Sequence, residues 1–277
     1  MDLVWKIKEG TNVKLKDYDP DFTNGYSHHN EAKEDLESLG DELSELQELL
    51  WAAAHNSLLI ILQGMDTSGK DGTIRHVFSH VNPQGCQVHS FKQPTPEELA
   101  HDFLWRVHCV TPPLGALGIF NRSQYEDVLV VRVHNLVPES VWSRHYQEIN
   151  NFESLLAHSN TIILKFFLHI SKDEQEKRLL AREQEIDKSW KISAGDWKER
   201  QYWDAYQQAY EDVLSKCSTD GAPWYIVPAN HKWYRNLAVA HTLVHTMRQY
   251  KDDWEKELVA RGQKELELLK QMKLQNA

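Results

Sequence analysis

Along the chain, short apolar runs alternate with longer stretches in which apolar residues recur at helical spacing. Residues 57–62 (Ser-Leu-Leu-Ile-Ile-Leu) and 161–170 (Thr-Ile-Ile-Leu-Lys-Phe-Phe-Leu-His-Ile) are continuous runs of strand length. Runs of this kind are buried on both faces of a parallel sheet. Shorter runs at 87–91, 117–121 and 223–229 predict three further strands. Leu36, Leu39, Leu43, Leu46 and Leu50 step by three and four among acidic residues, which predicts an amphipathic helix over 31–54 packed against the sheet. Helical patterns follow at 73–80, 138–158 and 233–248. Thr95-Pro-Glu-Glu opens another helix, with Thr95 as N-cap and the acids at the positive end. Residues 171–216 are polar and helical throughout, long for a plain crossover, and 251–277 form a charged helix with leucines at 266, 268, 269 and 274. Residues 1–30 keep no period and read as an extended arm. The alternation predicts an α/β fold, a mostly parallel sheet flanked by helices, in one domain. Its parts are an N-terminal arm and helix (1–56), a core (57–170), a helical lid (171–216), and a last strand with extra C-terminal helices (217–277).

Composition narrows the class. A chain of 277 residues, 41% hydrophobic and 26% charged, is long enough for a buried core and too apolar for disorder. No apolar run approaches the ~18 residues that a membrane-spanning helix needs, and the first ten residues carry no apolar signal core. Cys86, Cys109 and Cys217 are scattered outside any C-x-x-C pair, as expected of free thiols in a reducing cytoplasm. The formal charge of −10, taken alone, argues against nucleic acid or any other polyanion as partner.

The motifs reverse that last inference for one site. Gly64-Met65-Asp66-Thr67-Ser68-Gly69-Lys70-Asp71-Gly72 fits G-x-x-x-x-G-K between a strand and a helix. In such a loop backbone N–H groups wrap a phosphate and the lysine neutralises it. Asp71 replaces the usual hydroxyl residue, so a magnesium site must be built otherwise, and Asp66 is the available carboxylate. Asn121, Arg122, Glu126 and Asp127 follow an apolar run, where they gather at the same sheet edge. There Arg122 is placed to clamp a second phosphate, and Glu126 to meet a nucleotide base or a metal shell. In the polar helical stretch, residues 172–200 hold as many acids as bases, the pattern of a solvated face. A lid over a phosphoryl-transfer site needs a few inward cations, with Arg178 first and then Arg182, Lys188 and Lys191. The i, i+4 pairs His76/His80 and His241/His245 lack the Glu of H-E-x-x-H and read as ordinary helix-face histidines.

With these segments assembled, the chain resembles the family-2 polyphosphate kinases. The resemblance rests on residues 64–74, on Phe120-Asn-Arg-Ser-Gln-Tyr-Glu-Asp-Val-Leu129 with Arg132-Val-His134, and on Ile149-Asn-x-Phe-Glu153. It continues through Leu164-Lys-Phe-Phe-Leu-His-Ile-Ser171, Ala222-Pro-Trp224 and Lys232-Trp-Tyr-Arg-Asn236. It implies a P-loop kinase-like fold and reversible, Mg²⁺-dependent transfer (Mn²⁺ the alternative) between inorganic polyphosphate and nucleotides. It further implies Asp66 as metal ligand, Lys70 and Arg122 on the moving phosphoryl group and Arg178 closing from the lid, with Asn121, Glu126, Asp127 and Arg132 on the nucleotide. Asp71 is normal in that family. Asn121 stands where some relatives carry a Walker-B aspartate, and Gln124 where His or Trp is common. Tyr125-Glu-Asp127 resembles the subgroup accepting both AMP and ADP, so adenine nucleotides are expected, with guanine as the alternative base. A homo-oligomer is expected, without nucleic-acid or membrane partners. Two competing readings are an ATP-dependent nucleoside monophosphate kinase and a non-catalytic nucleotide- or phosphate-binding P-loop protein. The phosphotransferase reading requires a local positive channel around Lys70 on an otherwise acidic body.

Overall fold

The structure, a computed structural model, describes residues 3–26, 29–184 and 194–275. In chain order it contains β1 (Trp5–Lys6), α1 (His29–Ala53), β2 (Ser57–Gln63), α2 (Lys70–Val77), β3 (Cys86–Ser90), α3 (Pro96–Leu99) and α4 (Trp105–His108). Then come β4 (Leu117–Asn121), a 3-10 turn (Gln124–Val128), α5 (Val130–Val133), α6 (Glu139–His158) and β5 (Thr161–His169). The remainder is α7 (Lys172–Gln184), α8 (Ala194–Glu199), α9 (Trp203–Lys216), β6 (Trp224–Pro228), α10 (Lys232–Arg248) and α11 (Lys251–Gln275).

The two strongest apolar runs make the centre of one sheet, ordered β1-β6-β5-β2-β4-β3. Every residue of β2 and β5 is buried, and Leu58 pairs with Ile162 on one side and Leu117 on the other. The pairs among β2 to β6 are parallel, as continuous apolar runs require. β3 and β4 lie to one side of β2, and β5 and β6 to the other. The carboxyl end of β2 therefore opens at the switch point, where sheets of this class take ligands.

The N-terminal arm departs from the expected extended segment. It adds β1 antiparallel to β6, Trp5 opposite Ile226, and buries Leu3, Ile7, Val13 and Leu15. Two paired residues are too few to leave a period in the sequence. α1 also differs from expectation: its buried Leu43, Leu46 and Leu50 pack along α10 and the start of α11 rather than on the sheet. An amphipathic pattern states that one face is covered and not by what; here α10 intervenes, itself buried at Leu237, Val239, Leu243 and Val244. Thr95 caps α3 as expected, accepting from the Glu98 N–H at 3.2 Å while Glu98 accepts from the Thr95 N–H at 2.7 Å. No described helix is long and apolar enough to cross a membrane.

A polar cluster is sealed within the core. The Lys165 ammonium donates to Glu153 Oε2 at 2.5 Å, to the Tyr125 hydroxyl at 2.9 Å and to the Cys217 carbonyl at 2.6 Å. Glu153 Oε1 accepts from Tyr125 at 2.7 Å and from Gln124 at 2.9 Å. Lys165 is 0% and Glu153 1% exposed, so the ion pair is compensated inside the protein.

Candidate active site

Beyond β2 the chain turns through residues 64–69 directly into α2, which starts at Lys70 rather than at 73 as the pattern suggested. Gly64 (φ +152°) and Gly69 (φ +103°) hold conformations that side chains rarely adopt. A Cβ on Gly69 would stand 1.8 Å from Arg235 Nη1, and one on Gly64 2.7 Å from the Leu168 carbonyl. The Ser68 N–H donates to the Met65 carbonyl at 3.0 Å, and Lys70 turns its ammonium back to the Gly64 carbonyl at 2.8 Å. Burial and the neighbouring Arg122 push the Lys70 pKa down to about 8, against the pull of Asp66, Glu126 and Asp71. An anion entering the loop would favour the charged lysine, so this lysine is poised to respond to one.

β4 delivers the second half of the site. Arg122 takes a left-handed backbone (φ +64°) just past the strand, a costly conformation for a side-chain-bearing residue. Its guanidinium reaches Asp66 at 2.9 Å and Glu126 at 3.6 Å. Burial opposes its charge, but Glu126 and Asp66 outweigh that and raise its pKa. Asn121 donates to Asp71 at 2.7 Å, and Gln63 to Glu126 at 3.2 Å.

Two cavities meet here. The larger, about 1250 Å³, is lined by Lys33, Lys70, Lys92, Arg122, Arg178, Arg182, Lys232 and Arg235 against Glu37, Asp66, Asp71 and Asp196. Eight cations against four carboxylates give this cavity a local basic excess, in line with the positive channel expected around Lys70. Thr67, Gly69, Gly72 and Asn121 also line it. The smaller, about 290 Å³, is walled by Gly64, Met65, Leu129, Val130, Tyr206 and Tyr210, with Glu126 and Glu199. Asp66, Arg122 and Asp196 line both cavities.

Other expected residues are placed differently. Arg178 reaches inward, but its guanidinium grips backbone carbonyls behind the loop, those of Thr67 and Ser68 among them. Arg182 lines the larger cavity with its guanidinium on Asp196 at 2.6 Å. Asp127 and Arg132 line neither cavity. Arg132 points instead to Asp212 at 2.6 Å and Tyr146 at 2.9 Å, over the Trp142 ring. Burial pushes the Asp127 carboxyl up to about 7; Arg106 opposes this and Glu126 adds to it. Lys188 and Lys191 lie outside the described residues. Sequence reasoning gave no role to Lys33, Lys92, Lys232, Tyr206 and Tyr210, because each reaches the site from an element remote in sequence. Lys232 and Arg235 both sit within a motif already noted, the one signal that pointed to them.

A strand, glycine loop and helix at the switch point, beneath a basic cavity, define a protein of the P-loop kinase class. A family model, "Polyphosphate kinase 2 (PPK2)", matches residues 26–255, and the chain belongs to that family. It is 52% identical over 244 residues to the AMP/ADP-polyphosphate phosphotransferase of Meiothermus ruber, spanning 88% of this chain and 91% of that one. It is 44% identical to the ADP-polyphosphate phosphotransferase of Rhodopseudomonas palustris over 97% of each chain. The crystal structure of polyphosphate kinase 2 from Arthrobacter aurescens TC1 superposes with a TM-score of 0.85 at 46% identity, covering 88% of both chains.

Proposed function

We propose that this protein transfers phosphoryl groups between inorganic polyphosphate and adenine nucleotides, AMP to ADP and ADP to ATP, reversibly. The observation that carries the reading is the meeting of two cavities of opposite character at Asp66 and Arg122. The large basic cavity suits a long polyanion. The small one, with apolar and aromatic walls, suits a nucleoside, with Glu126 and Glu199 as acceptors for the base amino group. Names borne by close relatives support the same pairing of substrates.

Phosphoryl transfer asks the protein for position and charge rather than covalent chemistry. Lys70 and Arg122 stabilise the group in flight, and Arg182 closes over it from the lid. The acceptor is an ionised phosphate, so no general base is required. We assign Asp66 to Mg²⁺ or Mn²⁺. The described residues hold no group of three metal-ligating side chains. A magnesium ion nevertheless fits, because it binds through one or two carboxylates together with substrate phosphates and water. Bound there it would neutralise phosphate charge. Three unpaired cysteines fit a reducing cytoplasm, and the exposed Leu258, Val259, Leu266 and Leu269 of α11 support self-association.

The test is donor choice. Incubated with Mg²⁺, ADP and long-chain polyphosphate, the protein yields ATP, and with AMP it yields ADP. ADP formed from ATP plus AMP, with polyphosphate inert, would make it a nucleoside monophosphate kinase instead.

A further inference from the structure

Two arginines from distant elements converge on one peptide of the phosphate loop. Arg178, in the second turn of α7, has five N–H donors and five acceptors. Nε meets Glu174 at 2.7 Å; Nη1 meets the carbonyls of Thr67 and Ser68 at 3.0 and 3.2 Å. Nη2 meets those of Ala229 and Asn230 at 2.6 and 2.8 Å. Arg235, at the start of α10, sets Nη1 on the same Ser68 carbonyl at 3.2 Å, and its other donors on the side chain of Asn236. Both guanidiniums are buried, Arg178 at 8% and Arg235 at 2% exposure.

The target peptide is one that can flip. Gly69 tolerates either sign of φ, so the Ser68–Gly69 peptide plane has two accessible orientations unless something holds it. In a planar trans peptide the carbonyl and the following N–H point in opposite directions. Holding the Ser68 carbonyl toward the two arginines therefore turns the Gly69 N–H to the opposite side of the loop, where it is free of them, and Gly69 lines the larger cavity that the arginines also border. The flipped peptide would offer the phosphate a carbonyl oxygen, which repels it. Arg235 also fills the space that a side chain at Gly69 would occupy.

We propose that Arg178 and Arg235 are positioning residues that lock the Ser68–Gly69 peptide with its N–H toward the substrate phosphate. This deepens the phosphotransferase reading and rests on it. Arg178 thus acts through the loop backbone rather than on the moving phosphoryl group, and so does Arg235, to which the sequence assigned no role.

A lock of this kind leaves a kinetic signature that a fold-stabilising contact does not. Without it the empty loop divides between two orientations, and apparent affinity falls by the competent fraction while the bound state is unchanged. Arg178→Met and Arg235→Met should raise the KM for polyphosphate about tenfold or more, with kcat nearly retained. Arg178→Lys and Arg235→Lys keep the buried charge but not the fork, and should show the same split. The lock is refuted if kcat falls at unchanged KM, if only the melting temperature changes, or if the lysine variants behave as wild type. A second measurement needs no variant. In ¹⁵N-labelled wild-type protein, tripolyphosphate should shift the Gly69 amide proton downfield. Binding that moves other loop resonances but leaves Gly69 unmoved overturns the lock alone. Absence of any tripolyphosphate binding overturns the phosphotransferase reading together with it.

Discussion

Two clusters of buried cations among the described residues are treated in opposite ways. Around Lys165 the ammonium meets a carboxylate, a hydroxyl and a carbonyl, and the group is closed. Around the loop 64–69 Lys70, Arg178 and Arg235 are also buried, yet Lys70 and Arg235 are satisfied by carbonyls and an amide side chain rather than by acids. Arg122 has carboxylate partners but remains partly open to both cavities. A buried cation without a matching anion is costly, and the cost falls when an anion arrives. The first cluster holds the core together; the second is left incomplete, as the proposed binding of a polyanionic substrate there requires.

That contrast can be broken first at Lys165. Lys165→Met leaves Glu153 buried without its cation and should destabilise the fold by about 3–5 kcal/mol, read from the denaturant midpoint. Pairing it with Glu153→Gln should recover part of the loss, and an unchanged midpoint in the single variant would show that the pair is not closed as described. Lys70→Ala and Arg122→Ala should do the reverse: about a hundredfold or more lost in kcat/KM with little change in melting temperature. If either variant unfolded the protein while sparing turnover per folded molecule, the two clusters would have exchanged roles.

Titration sharpens the comparison further. Lys70 titrates near 8 in the empty fold, so phosphate affinity should weaken as pH rises through that value and kcat/KM should fall with it. Its contribution to stability has the opposite sign. Between about 8 and the ordinary 10.5 the unfolded chain binds more protons, so stability from this group rises with pH. A second pH-linked effect is expected at Asp127, where no substrate group is involved. Its carboxyl moves from 3.8 up to about 7, so the folded protein holds the extra proton and stability drains away as pH climbs across that window. Asp127→Asn should therefore raise the melting temperature at pH 8 and not at pH 4; an equal gain at both would assign the effect to something other than ionisation.

What the sequence made legible follows from range. The strands β2 and β5, the glycine turn that joins β2 to α2 and the cap at Thr95 are each written within a few neighbouring residues, and the structure has all of them. Arg122 is legible as a neighbour of the loop because strand ends gather at one edge of a parallel sheet. Helical position and charge point Arg178 inward but do not name its partners, among them backbone carbonyls some 110 positions away. Arg132 stands in a family motif beside Arg122, yet the turn between them carries it to Asp212. Helical spacing likewise gave α1 its apolar face, whereas α10, which covers it, is nearly two hundred residues further on. Local rules name the elements; which distant element supplies a cation or a cover is decided by packing.

The claim that the loop's charge awaits an anion is tested most directly by melting the protein across a tripolyphosphate series at pH 7 and constant ionic strength. Wild type should gain stability with concentration as a ligand of the folded state, and Lys70→Ala, starting from a similar melting temperature, should lose most of that gain. An equal gain in both proteins, or none in wild type, would contradict it.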